Sequence, residues 1–372
     1  MARRPVRIAI VTEIPAPFRT AIFNALAARE DVELLVLFLA ERDPRRSYAV
    51  RWSEHEFEHQ VLPGRQVRRG RRWIVLTRGL RAALVAFDPD LVVIGGWNQP
   101  ASWQALAWTR LHRVPLVAWV ESTARDERSG ARPLELLKRS LVRACSGFLV
   151  PGRAAAEYLA SLGAGARPIE VAPNAMDTQA FGEQVAAARA DRAALRLELG
   201  LEGCVFLCVA RLAPEKNVGL ALRAFATLGE GQLVVVGTGE ERAALEAAAP
   251  PGTRFVGWLE REQLVRWYAA ADVLVSPSRS EQWGFALNEA AAAGLPIVTT
   301  TAVGAARELV ESGVNGFVVA PLDVEGLAAA LRRLAEDSAL RASAGVHSRE
   351  LAATHTPAAW AEAVARLAKR LT

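Results

Sequence analysis

Short apolar runs alternate with helical patterns along the whole chain. Residues 6–11, 32–38, 91–94 and 116–120 are nearly continuous in Val, Ile, Leu, Ala, Phe and Trp, with no polar position in regular alternation. Runs of this kind belong to strands covered on both faces. Residues 20–29, 78–87 and 99–112 carry the helical patterns between them. The rhythm restarts near Cys204. There, runs at 205–210, 233–236, 254–256, 273–276 and 296–299 alternate with helical stretches at 218–227, 240–249, 262–270 and 285–293. The pattern predicts an α/β chain whose parallel sheets are wrapped by helices. Residues 172–200 separate the two halves, opening on the breaker Pro173-Asn174 and continuing as an Ala/Arg-rich helix.

A length of 372 residues and a hydrophobic fraction of 51% suit two packed cores. We expect two Rossmann-like, doubly wound domains facing a cleft, residues 1–172 and 173–355. In open parallel sheets, ligands sit beyond the carboxyl ends of strands, so the chemistry is sought there. The run at 6–11 is too short for a signal peptide, and no later run reaches the roughly 18 residues of a spanning helix. The chain reads as cytoplasmic. Cys145, Cys204 and Cys208 fit a reducing compartment, with Cys204 and Cys208 on one face of a strand as buried packing.

Charge divides unevenly. Residues 1–172 hold 26 Lys and Arg against 17 Asp and Glu, a net +9, while the rest hold 19 against 23, a net −4, which together give the chain's +5. The basic half points to an anionic partner, either a membrane surface in peripheral contact or a phosphorylated acceptor. Its densest run, Arg65 to Trp73, reads as a solvated, Arg-biased loop. No nucleic-acid module accompanies the charge, and nucleic acid is not expected as a partner.

The strongest motif is Glu281-Gln282-Trp283-Gly284-Phe285-Ala286-Leu287-Asn288-Glu289, which follows the run at 273–276 and opens a helix. Gly284 lets backbone approach a ligand closely. The N–H groups of Gly284, Phe285, Ala286 and Leu287 point out of a helix N-terminus, which suits phosphate. Glu289, one turn inside, can accept hydrogen bonds from ribose hydroxyls. The second motif runs from Arg211 to Asn217, at the carboxyl end of the strand at 205–210. Arg211 and Lys216, five apart across a Pro-containing turn, can both reach a diphosphate. The chain has 42 Arg and three Lys, at 138, 216 and 369, so a lysine in this loop is not the default cation. A third element, Gly237-Thr238-Gly239, is again a glycine turn after a strand, without G-x-G-x-x-G spacing.

In the first half, Pro17 and Arg19 fall on an expected cleft-facing loop, as do Gly96 and Trp97. Arg19 is a candidate phosphate or acceptor contact, and Trp97 is the tryptophan singled out for stacking on a sugar. His55-Glu56-Phe57-Glu58-His59 matches H-E-x-x-H, but its surroundings are polar or strand-like and no third ligand follows, so no metal site is assigned.

Arg211 with Lys216, the Gly237–Gly239 turn, the E-x7-E pair Glu281 and Glu289, and the stretch Val303-Gly304-Ala305-Ala306-Arg307-Glu308 with Asn315-Gly316-Phe317 resemble glycosyltransferase family four, of the GT-B fold. Pro173-Asn174-Ala175-Met176-Asp177 is similar to the family's linker signature. The resemblance implies a retaining, metal-independent transfer from a nucleoside-diphosphate sugar to an acceptor hydroxyl, without a cofactor, in assemblies such as cell-surface polysaccharide or glycolipid. It implies an acceptor-binding domain at 1–172, a donor-binding domain at 173–355, and a last helix, 356–372, packing back on the first domain. Arg211 and Lys216 would bind the donor diphosphate, Glu289 the ribose, and Glu281 the donor sugar, with Trp258 beside the base. Where members often carry a His near the acceptor, this chain has Glu121. The acceptor is unknown, with a lipid-linked or anionic one indicated by charge. The alternatives are a nucleotide-sugar epimerase or hydrolase on the same fold, or a non-catalytic sugar-nucleotide-binding protein. The missing G-x-G-x-x-G disfavours a nicotinamide oxidoreductase.

Overall fold

The computed structural model describes residues 4–42, 50–69, 72–124 and 132–372. It divides into two compact units: residues 1–176 with 356–372, and residues 177–355.

The first unit is built on seven parallel strands. In chain order they begin β1 (Val6–Thr12), α1 (Pro17–Ala27), β2 (Val32–Phe38) and β3 (Glu58–Val61). A separate antiparallel hairpin follows, β4 (Gly64–Arg69) and β5 (Arg72–Thr77), so most of the basic run expected as a loop is strand; Gly70 and Arg71 lie outside the described residues. Then come α2 (Leu80–Phe87), β6 (Leu91–Gly95), α3 (Pro100–His112), β7 (Leu116–Trp119), α4 (Arg132–Ala144), β8 (Gly147–Val150), α5 (Arg153–Leu162) and β9 (Ile169–Val171). The sheet order β3-β2-β1-β6-β7-β8-β9 reverses direction between β1 and β6. The apolar runs read as buried strands are buried: Ile8, Ile10, Val36, Val92, Val93 and Val117 have no exposed surface. Helix α1 starts at Pro17, whose ring pre-sets the first helical φ, so Pro17 and Arg19 stand in its first turn rather than in a loop.

The second unit opens with two helices where one was expected, α6 (Thr178–Arg189) and α7 (Arg192–Glu198). Each begins on an aspartate, Asp177 and Asp191, whose carboxylate accepts an N–H of the first turn. The sheet strands are β10 (Val205–Val209), β11 (Gln232–Val236), β12 (Thr253–Gly257), β13 (Val273–Ser276), β14 (Ile297–Thr300) and β15 (Gly316–Val319), with α8 (Val218–Phe225), α9 (Arg242–Ala247), α10 (Arg261–Ala270), α11 (Phe285–Ala292), α12 (Ala306–Leu309), α13 (Val324–Glu336) and α14 (Ser338–Ala352) around them. The order β12-β11-β10-β13-β14-β15 turns between β10 and β13. Asp272, just before β13, binds Arg192 at 2.7 Å, Arg196 at 3.1 Å and the N–H of Val205 at 2.8 Å, tying α7 to the sheet. Cys208 is fully buried and Cys204 packs against the same core; burial pushes their thiols up to about 12 and about 11.

The last helix, α15 (Pro357–Leu371), is part of the first unit. Trp360 is fully buried against Phe23 and Trp119, with centroids 5.9 and 5.2 Å away. At the surface, Lys369 pairs with Asp31 at 2.7 Å and Arg366 with Glu170 at 2.6 Å.

Candidate functional site

In an open parallel sheet, the loops after two adjacent strands that feed helices on opposite faces leave a crevice between them. In the second unit those strands are β10 and β13. After β10 the chain makes a 3-10 turn, Pro214–Lys216, and enters α8 through Asn217, held at φ 51° with its amide donating to the carbonyl of Pro321 at 3.1 Å. The carbonyl of Glu215 accepts the N–H groups of Arg279 (2.9 Å) and Ser280 (3.3 Å), which draws the loop after β13 onto this turn. The result is a direct ion pair between Lys216 Nζ and Glu281 Oε2, both side chains 20% exposed.

Glu281 is fixed from the other side by the loop after β14. Its N–H donates to Ala302 at 3.2 Å and its carbonyl accepts the N–H of Gly304 at 3.0 Å. A Cβ on Gly304 would lie 1.9 Å from the carbonyl oxygen of Gln282, so only glycine permits this approach. Gly284 has φ 100° and begins α11 without a side-chain cap, and the Glu281 side chain lies 3.4 Å from where its Cβ would stand. Lys216, Glu281 and the tip of α11 therefore form one cluster. One expected donor is taken: the N–H of Leu287 bonds to the carbonyl of Gly284 at 2.9 Å.

One turn into α11, Glu289 is partly buried and accepts a 2.6 Å hydrogen bond from the phenol of Tyr268, a fully buried residue of α10. Removal from water raises the Glu289 carboxyl to about 7, against the lowering effects of the phenol and of Arg261. The same burial, with Glu289 beside it, holds the Tyr268 phenol well above its ordinary range. Arg189 of α6 donates to the carbonyls of Tyr268, Ala269 and Ala293, at 3.2, 3.2 and 3.0 Å. One guanidinium thus satisfies the C-terminal ends of the two helices that carry Tyr268 and Glu289.

The glycine turn after β11 packs on the loop after β10. Cβ atoms on Gly237 and Gly239 would fall 1.9 Å from the carbonyl oxygen of Ala210 and 2.1 Å from that of Leu212. Gly237 also donates to the carbonyl of Gly257 at 2.7 Å, setting Trp258, 47% exposed, next to the same edge. Arg211 turns to Glu215 on its own loop and is 59% exposed.

The first unit gathers a second cluster at its own switch point, β1 and β6. Arg19 donates to Thr12 Oγ1 at 2.8 Å, pairs with Glu121 at 3.2 Å, and lies 4.4 Å over the Trp119 ring. Gly96 has φ 89° and open space where a Cβ would stand. Trp97 differs from the expectation: it is 7% exposed, with its ring edge-on to Tyr158 at 6.3 Å and Lys138 Nζ 5.8 Å away. Its indole belongs to the core, where the loop residues around it offer backbone. His55 and His59 lie on a 3-10 end and in β3, packed with Trp52 and Phe57, and not on a helix. Among the described residues no group of three or more His, Cys, Asp or Glu could hold a metal ion.

Sequence reasoning missed Tyr268 and Arg189 as partners of the Glu289 site, and Ala302 as the anchor of Glu281. Tyr268 and Arg189 are reached only through packing of α10 and α6 on α11.

The profile described as Glycosyltransferase Family 4 matches residues 21–180, and that of Glycosyl transferases group 1 matches residues 203–337. Similar curated proteins include a glycogen synthase of Mycobacterium tuberculosis, 31% identical over 71% of this chain and 66% of that one. A 2-deoxystreptamine glucosyltransferase of Streptomyces kanamyceticus is 31% identical over 73% of this chain and 67% of its own length. The chain thus spans about two thirds of these relatives. Among solved structures, Anabaena HepE in complex with UDP superposes with a TM-score of 0.78 over 98% of this chain and all of that one, at 19% identity. The same protein with UDP-glucose gives 0.75 at 20% identity, over 98% of this chain and 99% of that one.

Proposed function

Because this chain belongs to glycosyltransferase family 4, we propose that it moves a sugar from a nucleoside diphosphate to an acceptor hydroxyl with retention of anomeric configuration and without a metal. The observation that carries this reading is the Lys216–Glu281 pair at the tip of α11, in the switch crevice of the second unit.

As the sugar–phosphate bond stretches, negative charge collects on the departing diphosphate. A fixed ammonium and a helix N-terminus need no reorganisation to meet it. Lys216 exchanges its contact with Glu281 for a phosphate oxygen, and the freed Glu281 carboxylate holds the donor sugar as its ring acquires oxocarbenium character. Arg211, exposed at the surface, exchanges Glu215 for the diphosphate and forks across its oxygens. The Glu289 carboxylate takes ribose hydroxyls, and Trp258 offers a face to the base. The acceptor hydroxyl enters from the same side as the departing phosphate, which accepts its proton. Arg19 and Glu121, paired at 3.2 Å, with the open backbone at Gly96, are the first unit's candidate acceptor contacts. The net +9 of residues 1–172 supports a lipid-linked or anionic acceptor.

A thermal-shift panel of UDP-, GDP- and ADP-sugars tests the reading. The matching donor at about a hundred times its Kd adds roughly 2.7 kcal/mol and raises Tm by about 5 °C. A panel in which no nucleotide sugar moves Tm overturns it. Free sugar released with no acceptor present would assign a hydrolase instead.

A further inference from the structure

The segment from Glu281 to Gly284 carries a tryptophan to which the transfer reaction gives no part. Trp283 is buried, and its indole N–H donates to Oδ1 of the fully buried Asn288 at 2.7 Å. The same indole meets the ring of His355, with centroids 6.1 Å apart and planes inclined at 33°. His355 is buried just past the end of α14. Its Nδ1 lies 3.2 Å from the carbonyl of Leu351 and 2.9 Å from Thr354 Oγ1, which fixes the ring. Burial lowers the His355 pKa, so near neutrality the two rings meet uncharged. Between Trp283 and α11 stands Gly284, at φ 100° and without a side-chain cap. Glycine adopts that backbone without strain, but it also resists rotation least. The bond from Trp283 to Asn288 spans this glycine and ties the residue before it to the helix beyond it.

We propose that Trp283 is a positioning residue for Glu281: bonded to Asn288 and packed on His355, it holds the segment so that the carboxylate meets Lys216. The bonds from this segment to the loop after β14 are backbone ones. Glu281 bonds to Ala302 and Gly304, and the carbonyl of Trp283 accepts the N–H of Ala305 at 2.9 Å. They fix where the segment runs, and the indole fixes how it meets α11. The inference rests on the transfer reading, in which Glu281 acts on the donor sugar. It also reaches past the site. His355 is the last residue of the second unit, and the chain passes into the first at Thr356. One aromatic contact therefore joins the anchor of Glu281 to the point where the chain changes units. A tryptophan that only filled the core would affect stability and leave the geometry of Glu281 unchanged.

Amide hydrogen exchange and steady-state kinetics on the full chain test it. Trp283→Phe keeps an aromatic ring and removes the N–H. Peptides covering residues 281–284 and 302–305 are expected to exchange about tenfold faster in this variant, while β10 and β13 keep the parental rate. With the nucleotide sugar selected by the thermal-shift panel, kcat falls about thirtyfold and the donor dissociation constant stays within about twofold. His355→Phe keeps the ring contact and stays near the parent in both measurements. Should Trp283→Phe fold poorly, His355→Ala carries the same test, with both effects reduced to about fivefold. Parental exchange over 281–284 and 302–305 overturns the proposal, as does parental kcat or an equal loss of kcat and donor affinity. A parent that turns over no nucleotide sugar fails the transfer reading instead, and the exchange rates still decide whether Trp283 holds the segment.

Discussion

Lys216→Ala is expected to lower kcat by about a thousandfold, the scale on which loss of one preorganised charge at a developing anion is felt. Lys216 faces Glu281 across a direct ion pair, on a turn locked by the bonds from Arg279 and Ser280 to the Glu215 carbonyl. Its position is therefore set before any donor arrives. The charge it meets grows in the transition state, so kcat and kcat/KM fall together while donor affinity changes less. Lys216→Arg restores the charge but not the compact ammonium, and recovers only part of the rate. Glu281→Ala falls steeply too, and the double variant is little worse than either single one, because the pair acts as a unit. Steady-state kinetics on variants whose thermal midpoints match the parent decide it. A folded Lys216→Ala protein turning over at near the parental rate would remove the centre of the mechanism.

The elements that place this pair were legible because parallel strands buried on both faces announce themselves as unbroken apolar runs. Val205–Val209 and Val273–Ser276 are such runs, and a cation and a carboxylate a few residues past their ends had to fall on one edge of the sheet. Glycines mark the second legible layer. Gly237, Gly239 and Gly304 each sit where a Cβ would run into a carbonyl oxygen, so the residue type itself reports a close backbone approach.

What the sequence hid depends on tertiary packing. The stretch after Gly64 shows no period of two, because Gln66 and Arg68 on one face are as polar as Arg65 on the other, and a hairpin reads as a loop. Trp97 looks like an exposed loop aromatic until Tyr158, sixty-one positions later, closes over it. Arg211 was legible as a cation at a strand end. Its turn toward Glu215, four residues on, was not. Glu289 appeared as a carboxylate one turn inside a helix, and nothing local says that the phenol of Tyr268 lies against it.

That phenol and the burial around it make Glu289 the second large prediction. Its carboxyl is raised to about 7, so near neutrality it is divided between two protonation states. Only the ionised form accepts hydrogen bonds from two ribose hydroxyls, so donor binding favours loss of the proton. Donor affinity is therefore expected to rise about tenfold between about pH 6 and about pH 8. The unliganded fold runs the other way. A carboxyl whose pKa is raised on folding contributes stability fully below its unfolded value of 4.5, and loses it as pH climbs through about 7. Donor-induced thermal shifts should accordingly grow as the midpoint of the free protein declines. At about pH 8, Glu289→Ala weakens donor binding about a hundredfold, the worth of two hydrogen bonds to a charged group. Glu289→Gln keeps the shape, weakens binding less, and abolishes the pH dependence. Calorimetric titration of the donor across this range separates the outcomes. A dissociation constant that is flat with pH in the parent and unchanged by Glu289→Gln would show that the ribose is held elsewhere.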